Sequence, residues 1–153
     1  MRLCKVFALL VAASVFLSAC TSESPAEAAS EWFNALIRGD GVTLHRRTCA
    51  AHWEAVRWGN AQLALMSWLG REALLPAVEG WLGFNLGVDA RFGDVHFEVL
   101  EMEEDAAVVQ VSGEFIWSML GFSTPILFES KWYMVKEGEA WRWCGEIGET
   151  VWR

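Results

Sequence analysis

The sequence predicts an α+β domain in which three amphipathic helices from the first half of the chain pack on a curved antiparallel meander sheet from the second half. Three observations lead there. Apolar residues recur at helical spacing through the first half, as Trp32, Phe33, Leu36 and Ile37 and again as Leu65, Met66, Trp68 and Leu69. From residue 95 the period becomes two, with Val95, Phe97 and Val99 alternating with His96 and Glu98. Turn-forming clusters, Glu103-Glu104-Asp105 and Glu137-Gly138-Glu139 among them, then divide the second half into hairpin-sized pieces.

Each element has a local reason. Ser24, Pro25 and Glu27 stand where an N-cap, a first helical residue and a capping-box carboxylate belong, so the first helix is expected to start there. Gly39-Asp40-Gly41 ends it. A second helix is expected from residue 42 or 43, carrying Leu44, Cys49, Trp53 and Val56, until Gly59-Asn60 breaks or bends it. Residues 62–75 read as a third helix, interrupted by Pro76 and continued for a further turn to about residue 82. Residues 84–94, with Gly83, Gly87 and Gly93 in or beside them, read as a loop. Four strands are expected after it. They lie around Val95 to Val99, over residues 107–120 with a bulge near Gly113, over 126–135 with Phe128, Trp132 and Met134 on one face, and around Trp141, Trp143 and Ile147. A turn is expected over residues 121–125.

The segment before this domain has its own grammar. Arg2 and Lys5 precede residues 6–17, a run of twelve mostly apolar residues. A bilayer-spanning helix needs about 20 such residues, but twelve suit the core of a secretory signal. The run closes on Leu17-Ser18-Ala19-Cys20, which resembles the lipobox of bacterial lipoproteins. That resemblance implies a signal peptide over residues 1–19, a diacylglycerol thioether on Cys20, and an added acyl chain such as palmitate on its amine. Two or three chains anchor firmly where one binds marginally. Residues 20–26 then form a lipidated, polar tether and residues 27–153 the domain. The resemblance places the protein on the cell membrane or the outer membrane, outside the cytoplasm, according to the host. Thr21, rather than Asp, after the cysteine points to the outer membrane in a Gram-negative host.

Composition excludes some functions. The formal charge is −8, and about −10 once Arg2 and Lys5 leave with the signal. Such a body is repelled by nucleic acid and by anionic headgroups, so no nucleic-acid partner is expected. No phosphate-cradling glycine loop is present in the sequence. Ten Trp in 153 residues is the outstanding feature, and core packing is the expected use of most of them.

The stretch EAASEWFNALIRGDGVTL and the chain end SKWYMVKEGEAWRWCGEI together resemble the nuclear transport factor 2-like superfamily, in particular its bacterial lipoprotein branch. The first matches a helix ending in Gly-Asp, and the second a charged turn followed by a Trp, here Glu137-Gly138-Glu139 and Trp141. The resemblance implies a cone whose bent sheet encloses a pocket against the helices. Some members use that pocket as an enzyme site with an Asp and a Tyr or second carboxyl. No catalytic residue carries over here, because Tyr133 is the sole Tyr and Asp40, Asp89, Asp94 and Asp105 all fall in turns or loops. The expectation is a non-enzymatic envelope protein that binds a partner protein or a small apolar ligand in a Trp-lined cavity. Trp32, Trp53, Trp68, Phe128 and Trp132 are the pocket candidates. The alternative is a ketosteroid isomerase- or cyclase-like enzyme acting on a small hydrophobic substrate.

In that fold the second helix faces the last strand, which makes a Cys49–Cys144 disulfide possible in an oxidising compartment. Two free buried thiols are the other reading. Alternation raises a difficulty: if Trp141 and Trp143 face the helices, Cys144 faces away. His45, Cys49 and His52 share one helical face by spacing, a set that zinc accepts. The charges of Arg46 and Arg47 and the lack of a nearby carboxylate argue against it, and no metal or cofactor is expected. Glu101, Glu103, Glu104 and Asp105 read as a solvated turn without the spacing of a calcium loop.

Overall fold

The computed structural model describes residues 23–153, apart from the side chains of Leu63, Ala64 and Trp68. Helix α1 (Pro25–Arg38) opens with the capping box. The Ser24 hydroxyl accepts from the Glu27 amide at 3.2 Å, and the Glu27 carboxylate accepts from the Ser24 amide at 2.9 Å. Gly39 closes the helix with φ of 68°, a conformation that favours glycine. Asp40 then caps α2 (Gly41–Arg47), accepting from the Val42 and Thr43 amides at 3.2 Å each. Hydrogen bonds hold both carboxyls below the ordinary range, from the Ser24 backbone and hydroxyl for Glu27 and from the Thr43 side chain and amide for Asp40. Both caps therefore contribute above the unfolded carboxyl range, and their contribution is lost as pH falls through the lowered values.

Beyond α2 the chain departs from the expected second helix. Thr48 is extended and forms a parallel bridge with Trp143, and the Cys49 amide donates to the Trp143 carbonyl at 2.9 Å. Cys49 thus lies in a turn between helices. Helix α3 (Trp53–Trp68) starts afresh at Trp53 and runs through Gly59-Asn60 without a break. It continues as a π-helical turn (Leu69–Leu74) and then α4 (Leu75–Leu82), ended by Gly83 with φ of 77°. Trp53 and Val56 meet the body, Val56 against the core. After that the helical arm leaves it, and Trp58, Leu65, Met66, Leu74 and Trp81 are exposed. Three helices packed on the sheet were expected; α1 and α2 pack, and most of α3 does not.

The second half is an antiparallel sheet that curls around α1. Its spine is the hairpin of β3 (Ala106–Met119) and β4 (Phe122–Glu137), turned at Leu120-Gly121. Two strands follow one another along the free side of β3. They are β2 (His96–Met102), with a register shift between Val99 and Glu101, and β1 (Asp89–Phe92), inside the segment read as a loop. Along the free side of β4 run β5 (Ala140–Glu146) and the short β6 (Val151–Trp152), which the sequence did not announce.

Pro125 lies within β4, paired with Ile116, where a turn was expected. It fits because the Leu127 amide points away from β3, to the Arg153 carbonyl at 2.9 Å. Two residues earlier, Pro125 also turns its missing donor to the open edge. Gly113 carries no bulge in the β3–β4 ladder. A Cβ there would stand 2.7 Å from the Asp94 carbonyl oxygen and 3.2 Å from the Phe128 ring, so this glycine allows the chain to cross closely before β2.

The core lies between α1 and the inner face of the sheet. Ala28, Ala29, Trp32 and Phe33 meet Val109 and Val111 of β3, Phe128, Trp132 and Met134 of β4, and Trp141 of β5. The small residues of α1 let its backbone approach the sheet, and its two rings fill the space beside them. Phe97 of β2 and Trp143 of β5 close the two flanks.

Candidate functional site

Two places in the fold bring chemistry together. The first is a cavity of about 640 Å³ between α1 and the β1–β2 side of the sheet. Its apolar lining includes Phe33, Phe92 and Phe97, whose rings contact one another edge-on at 5.1 and 5.9 Å about Phe33. Arg38 from the end of α1, Arg71 from the π-helical turn and Arg91 from β1 also line it. None of the three has an ion-pair partner among the described residues. Every carboxylate is absent from this lining, although acids outnumber Lys and Arg by 20 to 12 in the chain.

The pocket candidates lie elsewhere. Trp32 and Trp132 are buried core rings, 5.1 Å apart and edge-on. Trp32 also stacks on Trp143 at 4.4 Å, and its indole N–H donates to the Thr48 hydroxyl at 2.9 Å. Trp53 packs edge-on against His45 at 4.1 Å. The Trp68 side chain lies outside the described residues. Phe128 lines a different cleft, of about 380 Å³, beside His96, Glu114, Glu129 and Arg153. The polar groups of that cleft, Asp94 and Ser112 included, are half-exposed or exposed, unlike a shielded acid or base.

The second place is the junction of the α2–α3 turn with β5. The Sγ atoms of Cys49 and Cys144 stand 2.11 Å apart, at disulfide distance, with their Cα atoms 5.3 Å apart. Trp141 and Trp143 do face inward, yet Cys144 reaches Cys49. The reason is a bulge: Trp143 pairs with Met134 and Glu146 with Trp132, so three steps on β5 answer two on β4. Gly145, with φ of 115°, absorbs the extra residue. His52, the residue before α3, presents Nδ1 3.7 Å from each sulfur. His45 belongs instead to the Trp53 contact, so the helical trio read from spacing is not the cluster that forms.

Arg46 and Arg47, adjacent cations that could clamp an anion, are occupied by carboxylates instead. Arg46 pairs with Glu31, and Arg47 pairs with both Glu23 and Glu31 while its side chain stays only 12% exposed. Burial works against the Arg47 charge, but the hydrogen bonds and charges of Glu23 and Glu31 outweigh it and raise its pKa further. Glu101, Glu103 and Tyr133 border a shallow cleft near the β2–β3 turn, with no His or Cys beside them.

Fold and site together define an α+β domain whose helices pack on a curled antiparallel half-barrel, with an arginine-rimmed cavity on one flank and a cysteine–histidine cluster on the other. No family model, curated protein or solved structure matches this chain. Among the described residues no helix is long and apolar enough to cross a membrane.

Proposed function

We propose that this chain is a lipid-anchored lipoprotein of the cell envelope, built on a nuclear transport factor 2-like cone, that binds a small amphipathic anion beneath α1. The observation that carries the ligand class is the cavity lining: aromatic rings for an apolar body, and Arg38, Arg71 and Arg91, without acidic partners, for a carboxylate or phosphate. Such a collection of cations in an acidic chain concentrates positive potential at one mouth. The same lining supports binding over isomerase or cyclase chemistry, since it offers no Asp, Glu, His or Tyr as acid or base. A partner-protein role has its own support in the exposed Trp58, Leu65, Met66 and Trp81 of the arm.

Calorimetric titration of the mature protein with dodecanoate and with dodecan-1-ol tests the ligand class. Dodecanoate is expected to bind at least about tenfold more tightly, the equivalent of roughly 1.4 kcal/mol. The double substitution R38Q/R91Q should remove that difference and leave dodecanol binding unchanged. Equal affinity for acid and alcohol sinks the anion assignment, and heat from neither sinks the cavity as a ligand site.

The anchor rests on the lipobox at Cys20, which lies outside the described residues. Cys20→Ser is expected to leave the protein unprocessed by lipoprotein maturation, without incorporated labelled palmitate. Label incorporation equal to that of the native chain would falsify the anchor.

A further inference from the structure

We propose that Cys49, Cys144 and His52 form a redox-gated zinc site, closed as a disulfide and opened by a dithiol reductant. The three ligand atoms already lie close together from two separate parts of the chain. A tetrahedral zinc with Zn–S near 2.3 Å and Zn–N near 2.05 Å places sulfur and nitrogen about 3.6 Å apart and its two sulfurs about 3.8 Å apart. Both Nδ1–Sγ distances are 3.7 Å, so two of the three edges between ligand atoms match before any metal enters. The third edge opens once the sulfur–sulfur bond is cut, and a Cα separation of 5.3 Å lets rotation about the two side chains supply that opening.

The surroundings hold the imidazole in place. The His52 amide donates to the Cys49 carbonyl at 3.1 Å, and its ring lies edge-on to Trp143 at 5.9 Å. A Cβ on Gly145 would stand 3.3 Å from Nε2, so the glycine that makes the bulge also makes room for the ring. The sulfurs are the only polar side-chain atoms against Nδ1 among the described residues. No carboxylate competes for that nitrogen. Cys49 is buried, whereas Cys144 and His52 are half-buried, which leaves the solvent side for a fourth ligand, water.

The gate follows from the chemistry of the bond. A thiolate of the dithiol attacks the more accessible Cys144 sulfur and releases Cys49 as a thiolate beside His52. The second thiol of the reductant then displaces Cys144 and leaves as its own cyclic disulfide. Two electrons and two protons have passed to the protein, which holds two thiols. A zinc ion binding both sulfurs and Nδ1 releases those two protons. A small-molecule disulfide reverses the exchange: it takes the two electrons from the paired thiolates, leaves as its own two thiols, restores the bridge and expels the metal.

The test uses the mature protein, reduced with a trialkylphosphine and then freed of reductant, with zinc and cobalt(II) as probes. Reduced protein is expected to bind one zinc per chain by equilibrium dialysis and to show a thiolate-to-cobalt charge-transfer band; oxidised protein should do neither. Bound zinc should also slow alkylation of both thiols at least about tenfold. H52A should weaken zinc at least about tenfold, while H45A leaves it unchanged and so separates this site from the helical trio of the sequence. Circular dichroism records whether the reduced chain stays folded. Absence of the cobalt band in reduced protein, folded or unfolded, overturns the proposal. So does full zinc affinity in H52A, or equal uptake by the oxidised form.

Discussion

Trp32→Ala is expected to destabilise the domain by about 4 kcal/mol, within the range of large-to-small changes at buried aromatic positions. Trp32 is 5% exposed, stacks on Trp143 and meets Trp132 edge-on. Its removal opens a hole that Ala28 and Ala29 are too short to fill and that the curled sheet resists closing. It also frees the Thr48 hydroxyl, which still donates to the Leu44 carbonyl at 2.7 Å, so the polar loss is the smaller part. For a domain of this length the shift corresponds to a fall in Tm of about 15 °C. Trp32→Phe keeps a ring and loses the N–H and part of the volume, so roughly 2 kcal/mol is expected. Trp81→Ala is the contrast: its side chain is 86% exposed, and the cost should stay within about 0.5 kcal/mol. Thermal unfolding followed by circular dichroism measures all three. Equal losses at Trp32 and Trp81 would mean that the arm packs on the body as tightly as α1 does.

That contrast also marks what periodicity can convey. The stripe of Leu65, Met66 and Leu69 is as regular as that of Trp32, Phe33 and Leu36, yet the first faces solvent and the second the sheet. A stripe states that a helix is amphipathic and leaves its partner unnamed. Gly59-Asn60 suggests a break or a bend, but a glycine inside a helix costs only about 1 kcal/mol against Ala, which neighbouring turns tolerate, and α3 runs through it. Local signals with a local cause did better. The capping box at Ser24 and Glu27 needs four consecutive residues and nothing else, and the alternation of β3 and β4 needs one buried face. The candidate sites depend on assembly and were the least legible. Arg38, Arg71 and Arg91 come from three segments, and no spacing relates them. The inward turn of Cys144 depends on one added residue in β5, and Gly145 in a sequence looks like any turn glycine.

The second large effect concerns that same residue. Reduction of the oxidised bridge, or Cys144→Ser, is expected to cost about 4–5 kcal/mol, because Cys49 and Cys144 close a loop with a sequence separation of 95. The chain-entropy argument applies well here, since most of the core lies within that loop and little local structure joins its ends in the unfolded chain. The Cys49–Cys144 sulfur pair lies where the α2–α3 turn meets β5, the strand beside which Thr48 adds a parallel pairing. Two backbone links, the Cys49 amide to the Trp143 carbonyl and the Thr48–Trp143 bridge, survive reduction and keep the turn in register. The native fold should therefore persist in the reduced protein at a lower urea midpoint, with the m-value changed only by the less compact unfolded chain. The double variant C49S/C144S should cost no more than either single one, since one bond is lost in each case. Urea unfolding with and without reductant, together with mass spectrometry of the non-reduced peptide pair, measures this. An unchanged midpoint on reduction, or both cysteines alkylated without reductant, would show that the two sulfurs stand together without being joined.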